Sequence, residues 1–354
     1  MHRPGLLPSC GVLPSWREND RMDAFLQLPA ERRRLLCEEG QQRLGLTPAN
    51  IEKDFWVCWT LRELFGLPQW GEHLTFKGGT SLSKCWRLIS RFSEDIDVVI
   101  DREHLGFCGD TLGRKQQKRL VKECSRQIRE ELRPSLEQRF REALPSCLVW
   151  ELAPAHEEED RDQQTLLFHY PTVFPGAIAY VLPVVKIELG ARSETEPVEM
   201  PLIQPYLAMA FPDLLHDNAF PIKTLAAERT FWEKAMLLHE ETFRPAEKPR
   251  RARLSRHYYD LWCLIKKGIA AQAVANLELF DRVARHREIF FKVSWVNYDS
   301  LRKGTLNLLP TPKQMSDWRR DYEAMRKEMF FEEPPSFDEV LIVIRQFEEA
   351  FNRL

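Results

Sequence analysis

Two aspartates alternate with branched aliphatic residues in Asp95-Ile96-Asp97-Val98-Val99-Ile100, and this stretch limits the possible folds more than any other. In an extended strand the side chains point alternately to the two faces, so Asp95 and Asp97 share one face while Ile96, Val98 and Ile100 share the other. Upstream, TFKGGTSLSKC reads as a short strand, a Gly78-Gly79-Thr80-Ser81 turn and a helix from about Thr80 to Ile89. Residues 82–94 then suffice for that helix and a return into a neighbouring strand. The two glycines let the backbone turn tightly and approach a ligand closely. The helix start offers free N–H groups to an anion, and Ser81 adds a hydroxyl. Two carboxylates this close repel each other unless a cation sits between them. A hard divalent cation such as Mg²⁺ suits oxygen ligands and keeps positions open for substrate phosphates. Phosphate-sized donors beside paired carboxylates describe a site for a metal-bound nucleoside triphosphate, and hence nucleotidyl transfer. The candidate nucleotide-binding residues here are Lys77, Gly78, Gly79, Thr80 and Ser81, and the candidate metal ligands are Asp95 and Asp97.

Composition sets the limits around that site. A chain of 354 residues can bury a large core and is expected to divide into two lobes. A net charge of −2 argues against a uniformly basic nucleic-acid binder, so any polynucleotide must meet a local basic patch. The eight cysteines are scattered without a Cys-x-x-Cys pair, which reads as free thiols in a reducing cytosol. Residues 1–21 lack a sustained apolar run and read as a Pro-rich, disordered extension, with Met22 a possible true start. No stretch of about 18 apolar residues is present to cross a membrane.

Helices are expected over 23–45, 48–66 and 114–144, the last kinked or split near Pro134. In the second, Ile51, Phe55, Cys58, Leu61 and Phe65 make one buried stripe, with Lys53 and Asp54 read as a surface charge pair beside it. The basic first half of the third reads as a solvated face. Strands are expected near 147–152 and 164–170, with the acidic HEEEDRD run at 156–162 as the loop between them. In the strand Val181–Leu189, Val185, Ile187 and Leu189 face the core while Lys186 and Glu188 share the open face. Glu188 is therefore a candidate third carboxylate, as general base or second-metal ligand. From Leu202 onward the pattern turns helical. The densest basic run is PAEKPRRARLSR at 245–256, a loop able to meet phosphates.

Four segments carry a family resemblance. EKDFWVCWTLRELF (52–65), KGGTSLSKCWRLISRFSEDIDVVI (77–100), and FWEKAMLLHEE (231–241) with RLSRHYYDLWCL (253–264) resemble the AbiEii/MenT branch of the polymerase β nucleotidyltransferase superfamily. DYEAMRKEMFFEEPPSFDEVL (321–341) resembles the tail of many members. The resemblance implies an α/β (α+β) fold, with a small mixed-sheet nucleotidyltransferase lobe at 22–200 and a mainly helical lobe at 201–354. It pairs Lys234, as a triphosphate-binding point charge, with Asp260, which orients a basic neighbour or helps accept the acceptor's proton. His257 stands where many relatives carry an aspartate. The resemblance further implies an NTP substrate with Mg²⁺ or Mn²⁺, a tRNA 3′ end as acceptor, a cognate antitoxin and a cytoplasmic toxin. Other acceptors, a small molecule or a protein, and a catalytically silent RNA-binding scaffold remain open at this point.

Overall fold

The computed structural model describes residues 22–93, 95–109, 111–176, 182–215, 218–326, 329–330 and 332–354. The expected extension at 1–21 and the start of the 181–189 strand lie outside them. Among the described residues, seven strands form one mixed sheet: β1 (Leu74–Lys77), β2 (Ile96–Ile100), β3 (Glu151–Pro154), β4 (Thr165–His169), β5 (Val184–Gly190), β6 (Val198–Glu199) and β9 (Thr224–Leu225). A separate ribbon pairs β7 (Leu202–Ile203) with β8 (Phe220–Pro221). The strand order is β3-β4-β5-β2-β1-β9-β6. At its centre β1 runs antiparallel to β2, and β2 runs parallel to β5. The helices are α1 (Met22–Leu26), α2 (Ala30–Leu44), α3 (Pro48–Phe65), α4 (Gly78–Lys84), α5 (Arg114–Gln127), α6 (Arg133–Ala143), α7 (Tyr206–Ala210), α8 (Ala227–Thr242), α9 (Arg256–Lys266), α10 (Ile269–Ala275), α11 (Leu277–Phe290), α12 (Met315–Arg326) and α13 (Phe337–Asn352). This is the mixed α/β architecture expected. No described helix is long and apolar enough to cross a membrane.

Several elements depart from the sequence reading, each for a local reason. The 23–45 helix is two helices, because Pro29 takes an extended ψ of 149° and starts α2. The motif helix α4 ends at Lys84, and Arg87 reverses the chain at φ 52°. Pro134 does not break the 114–144 helix. A π-helical turn at Ile128–Leu132 precedes it and absorbs the bond that proline cannot donate. Helix α3 is buried nearly all round rather than along one stripe. Its Trp56 and Trp59 pack on Phe168 of β4 at ring separations of 5.8 and 5.7 Å.

The surface charge pair expected at Lys53 and Asp54 is therefore overturned. Asp54 is buried and binds Lys84 Nζ at 2.6 Å while accepting the Tyr206 N–H at 2.6 Å. Lys53, also buried, donates to the Leu182 carbonyl at 3.0 Å. Burial pushes the Asp54 carboxyl up against the downward pull of Lys84, whose own pKa rises because Asp54 outweighs the cost of its burial.

Two apolar cores result. One joins α2, α3, α5 and α6 to the sheet, runs on to Ile222 and takes in Phe290 at the end of α11; the other joins α8 to α13. Residues Ile203 to Ile222 pack with the first core, and Ala227 onward, the end of α11 apart, packs with the second. Leu82 of α4, with Leu88 and Ile89 after it, belongs to the second core although its strands belong to the first. The motif thus sits astride both.

Candidate active site

The register of the central strands sets the floor of the site. Lys77 lies opposite Asp97, and Asp97 lies opposite Glu188, so three charged side chains stand in a row across β1, β2 and β5. Asp95 lies immediately before β2 and lines the same cleft as Asp97. Gly78 turns the chain at φ +83°, and a Cβ there would lie 2.8 Å from Asp97 Cγ and nearer still to Oδ2. The turn is glycine because the Asp97 carboxylate occupies the space a side chain would need. A Cβ on Gly79 would meet Ser93 Oγ at 2.7 Å and Arg91 Nη2 at 2.8 Å.

Thr80 and Ser81 do not face the cleft as expected. Thr80 is buried and donates to the Asp95 carbonyl at 2.5 Å, with Ser93 Oγ at 2.9 Å. Ser81 is buried and donates to the Gly78 carbonyl at 2.9 Å. Their hydroxyls hold the turn in shape, and Lys77, Gly78 and Gly79 are the turn residues that line the cleft.

The opposite wall comes from α8 and α9. Lys234 Nζ meets Asp260 Oδ2 at 2.9 Å, and both are buried. Arg91, which the sequence reading missed, grips the same carboxylate with Nε to Oδ1 at 2.7 Å and Nη2 to Oδ2 at 2.8 Å. These cations hold Asp260 well below the usual carboxylate range despite its burial. A carboxylate so fixed is a poor proton acceptor, so of its two expected roles the geometry supports orientation of basic neighbours. Burial lowers Lys234, with Asp260 opposing. His257 Nδ1 lies 3.5 Å from Lys234 Nζ, and burial beside Lys234 and Arg256 keeps its ring neutral.

Of the basic loop, Arg251, Arg253 and Arg256 line the cleft. Arg250 instead reaches Glu241 at 3.3 Å and covers the Trp318 ring at 4.1 Å. Asp321 fastens the loop by accepting the Arg253 and Ser255 N–H groups at 2.6 and 2.8 Å. Lys77 Nζ touches Ser193 Oγ at 2.9 Å and Glu233 Oε2 at 3.6 Å, two further residues that sequence spacing gave no reason to choose.

The cleft has a volume of about 420 Å³, with an acidic floor and a basic far wall. Burial, Glu188 and Asp95 push Asp97 up to about 7 against the pull of Lys77, and burial with Glu188 raises Asp95. Glu188 lies on a neighbouring groove of about 810 Å³ that meets the cleft at Lys77, Asp97, Ser193, Arg251 and Phe291. Its carboxylate is engaged by Lys186 on the same strand. Among the described residues no group of three His, Cys, Asp or Glu side chains is arranged to hold a metal ion. The donor chemistry of Asp95 and Asp97 nevertheless fits a hard divalent cation completed by substrate phosphates. Magnesium takes one or two carboxylates in such sites, and half-buried carboxylates with raised proton affinity gain from a cation.

A sequence profile described as the nucleotidyl transferase AbiEii toxin of a type IV TA system matches residues 59–352. No curated protein matches the chain. Among solved structures, the nucleotidyltransferase toxin MenT4 from Mycobacterium tuberculosis H37Rv is similar at 18% identity over 91% of this chain and 98% of that one, with a TM-score of 0.39.

Proposed function

This chain belongs to the AbiEii nucleotidyltransferase toxin family of type IV toxin–antitoxin systems, and from that premise we propose that its cleft moves an NMP unit from an NTP to the 3′-terminal hydroxyl of a tRNA. The observation that carries this reading is that Lys77, Asp95 and Asp97 line one cleft with Lys234, Arg251, Arg253 and Arg256, while Glu188 stands opposite Asp97 on the adjoining groove. A triphosphate lying on that wall presents its α-phosphorus to the carboxylate floor. The acceptor oxygen attacks that phosphorus, the bond to the β-phosphate oxygen breaks, and pyrophosphate leaves. Glu188, on the groove side, takes the acceptor's proton once it parts from Lys186. Lys234 holds the triphosphate as a point charge oriented by Asp260. A cation, Mg²⁺ or Mn²⁺, held by Asp95 and Asp97 would supply charge neutralisation at the phosphates. Catalysis on this scheme rests on positioning and electrostatics.

The setting proposed is the cytoplasm, with a cognate antitoxin as partner. Buried free thiols at Cys37, Cys58, Cys124 and Cys263 suit a reducing compartment. One observation favours a second acceptor class. The groove beside Glu188 carries Glu158, Glu159, Asp160 and Asp162 among its basic residues, which suits a cationic small molecule.

One labelling experiment separates these readings. Protein is incubated with Mg²⁺ and each α-³²P-labelled NTP, with and without total tRNA, beside Asp97→Ala. Label on tRNA that vanishes in the variant supports the proposal. Label that appears equally without RNA moves the acceptor to a small molecule or the protein itself. No label and no NTP binding would leave only a silent scaffold.

A further inference from the structure

Asp260 serves two cations at once. Arg91 binds both of its oxygens, at 2.7 and 2.8 Å, and Lys234 shares Oδ2 at 2.9 Å. Two positive groups around one carboxylate leave the trio with one net positive charge. Without Arg91, Lys234 and Asp260 would cancel, and the lysine's charge would be consumed inside the protein. We propose that Arg91 is a positioning residue that neutralises Asp260 and so leaves the Lys234 charge available to the triphosphate. This rests on the reading of Lys234 as a triphosphate-binding residue.

The arrangement is built for that task. A planar guanidinium matches a carboxylate with two parallel bonds, which a lysine cannot do. The Arg91 side chain is 3% exposed and Asp260 is fully buried, so solvent screens the pairing little. The segment is pinned to the second core. Phe92 N donates to the Met329 carbonyl at 2.6 Å, and Arg91 forms a backbone bridge with Phe330. Gly79 leaves the room that Arg91 Nη2 takes up, since a Cβ there would approach it to 2.8 Å. His257, the other ring beside Lys234, is neutral and does not compete for Asp260.

A double-mutant cycle tests the proposal, using the full chain, Mg²⁺ and the NTP that labels best. KM, kcat and the thermal midpoint are measured for wild type, Arg91→Gln, Lys234→Met, the double variant and Arg91→Lys. Lys234→Met is expected to raise the KM for NTP about tenfold. Arg91→Gln should raise KM by a similar factor with kcat within about threefold. The double variant should be no worse in KM than Lys234→Met alone, because Arg91 acts through that lysine. Arg91→Lys, which keeps the charge and loses the fork, should raise KM by less than the roughly tenfold expected of Arg91→Gln and remains informative if Arg91→Gln does not fold. Additive KM losses in the double variant, or an Arg91→Lys loss as large as that of Arg91→Gln, overturn the proposal. A wild-type KM in Lys234→Met would instead remove the triphosphate reading beneath it.

Discussion

Replacing Gly78 by alanine separates two costs that usually arrive together. The first is backbone strain, since Gly78 sits at φ +83° and a left-handed residue with a Cβ costs about 1–2 kcal/mol. The second is displacement, because the new methyl would lie 2.8 Å from Asp97 Cγ and 3.0 Å from Asp97 Cβ, well inside contact distance. The carboxylate must move by something on the order of 1 Å, and a misplacement of that size costs about a hundredfold in rate. Gly45 isolates the first cost: its φ is +69° and nothing lies within 4 Å of an added Cβ. Gly45→Ala should therefore lose about 1 kcal/mol, a shift of about 2–4 °C in a lobe of this size, with wild-type transfer. Gly78→Ala should lose at least as much stability and about a hundredfold in kcat. Differential scanning calorimetry and initial rates of ³²P transfer measure both. A Gly78→Ala variant with wild-type kcat and the same melting shift as Gly45→Ala would show that Asp97 need not be where the turn holds it.

Three other outcomes follow from the geometry. Asp97→Ala should abolish transfer while the far-UV circular dichroism spectrum stays native, since the side chain faces the cleft; retained activity would remove Asp97 from the site. Lys84→Met should cost about 3–5 kcal/mol by stranding Asp54, whereas Asp54→Asn/Lys84→Met should recover most of that loss in urea unfolding. Equal losses in the two variants would contradict the charge argument. His239 accepts the Asn307 N–H on Nδ1 at 2.9 Å and meets Ser300 Oγ through Nε2 at 2.9 Å, and burial depresses it to about 4. A depressed histidine stabilises the fold above its unfolded value near 6.5, and that stability is lost as pH falls toward 4, by about 3 kcal/mol. His239→Gln should flatten this part of the stability–pH curve; an unchanged slope would assign it elsewhere.

The local parts of the site were legible because they obey short periods. Alternation in 95–100 placed Ile96, Val98 and Ile100 in the core, and the Gly-Gly turn stood where the strand had to end. The parts that were not legible depend on distance along the chain. Arg91 meets Asp260 across 169 residues, and no periodicity signals such a partnership. Arg91 is one of three cations between the motif halves, with Lys84 and Arg87, and nothing local singles it out. Lys53 and Asp54 were misread because a charged pair on a helix is ordinarily solvated, yet α7 and the 182 segment cover that face. Pro29 shows the reverse case, in which a local backbone preference overrode a helical pattern extended too far.

The two-core placement of the motif helix has a consequence for when this toxin becomes active. Leu82, Leu88 and Ile89 belong to the same apolar core as Phe231, Leu261, Val340 and Ile344, residues far toward the carboxyl terminus. A nascent chain that has emerged only as far as β9 carries both aspartates but lacks Lys234 and Asp260, and leaves three aliphatic side chains of the motif exposed to water. The cleft is therefore complete only once translation has delivered the residues through Met329. A product truncated before α8 would keep the aspartate strand and lack every basic residue of the opposite wall.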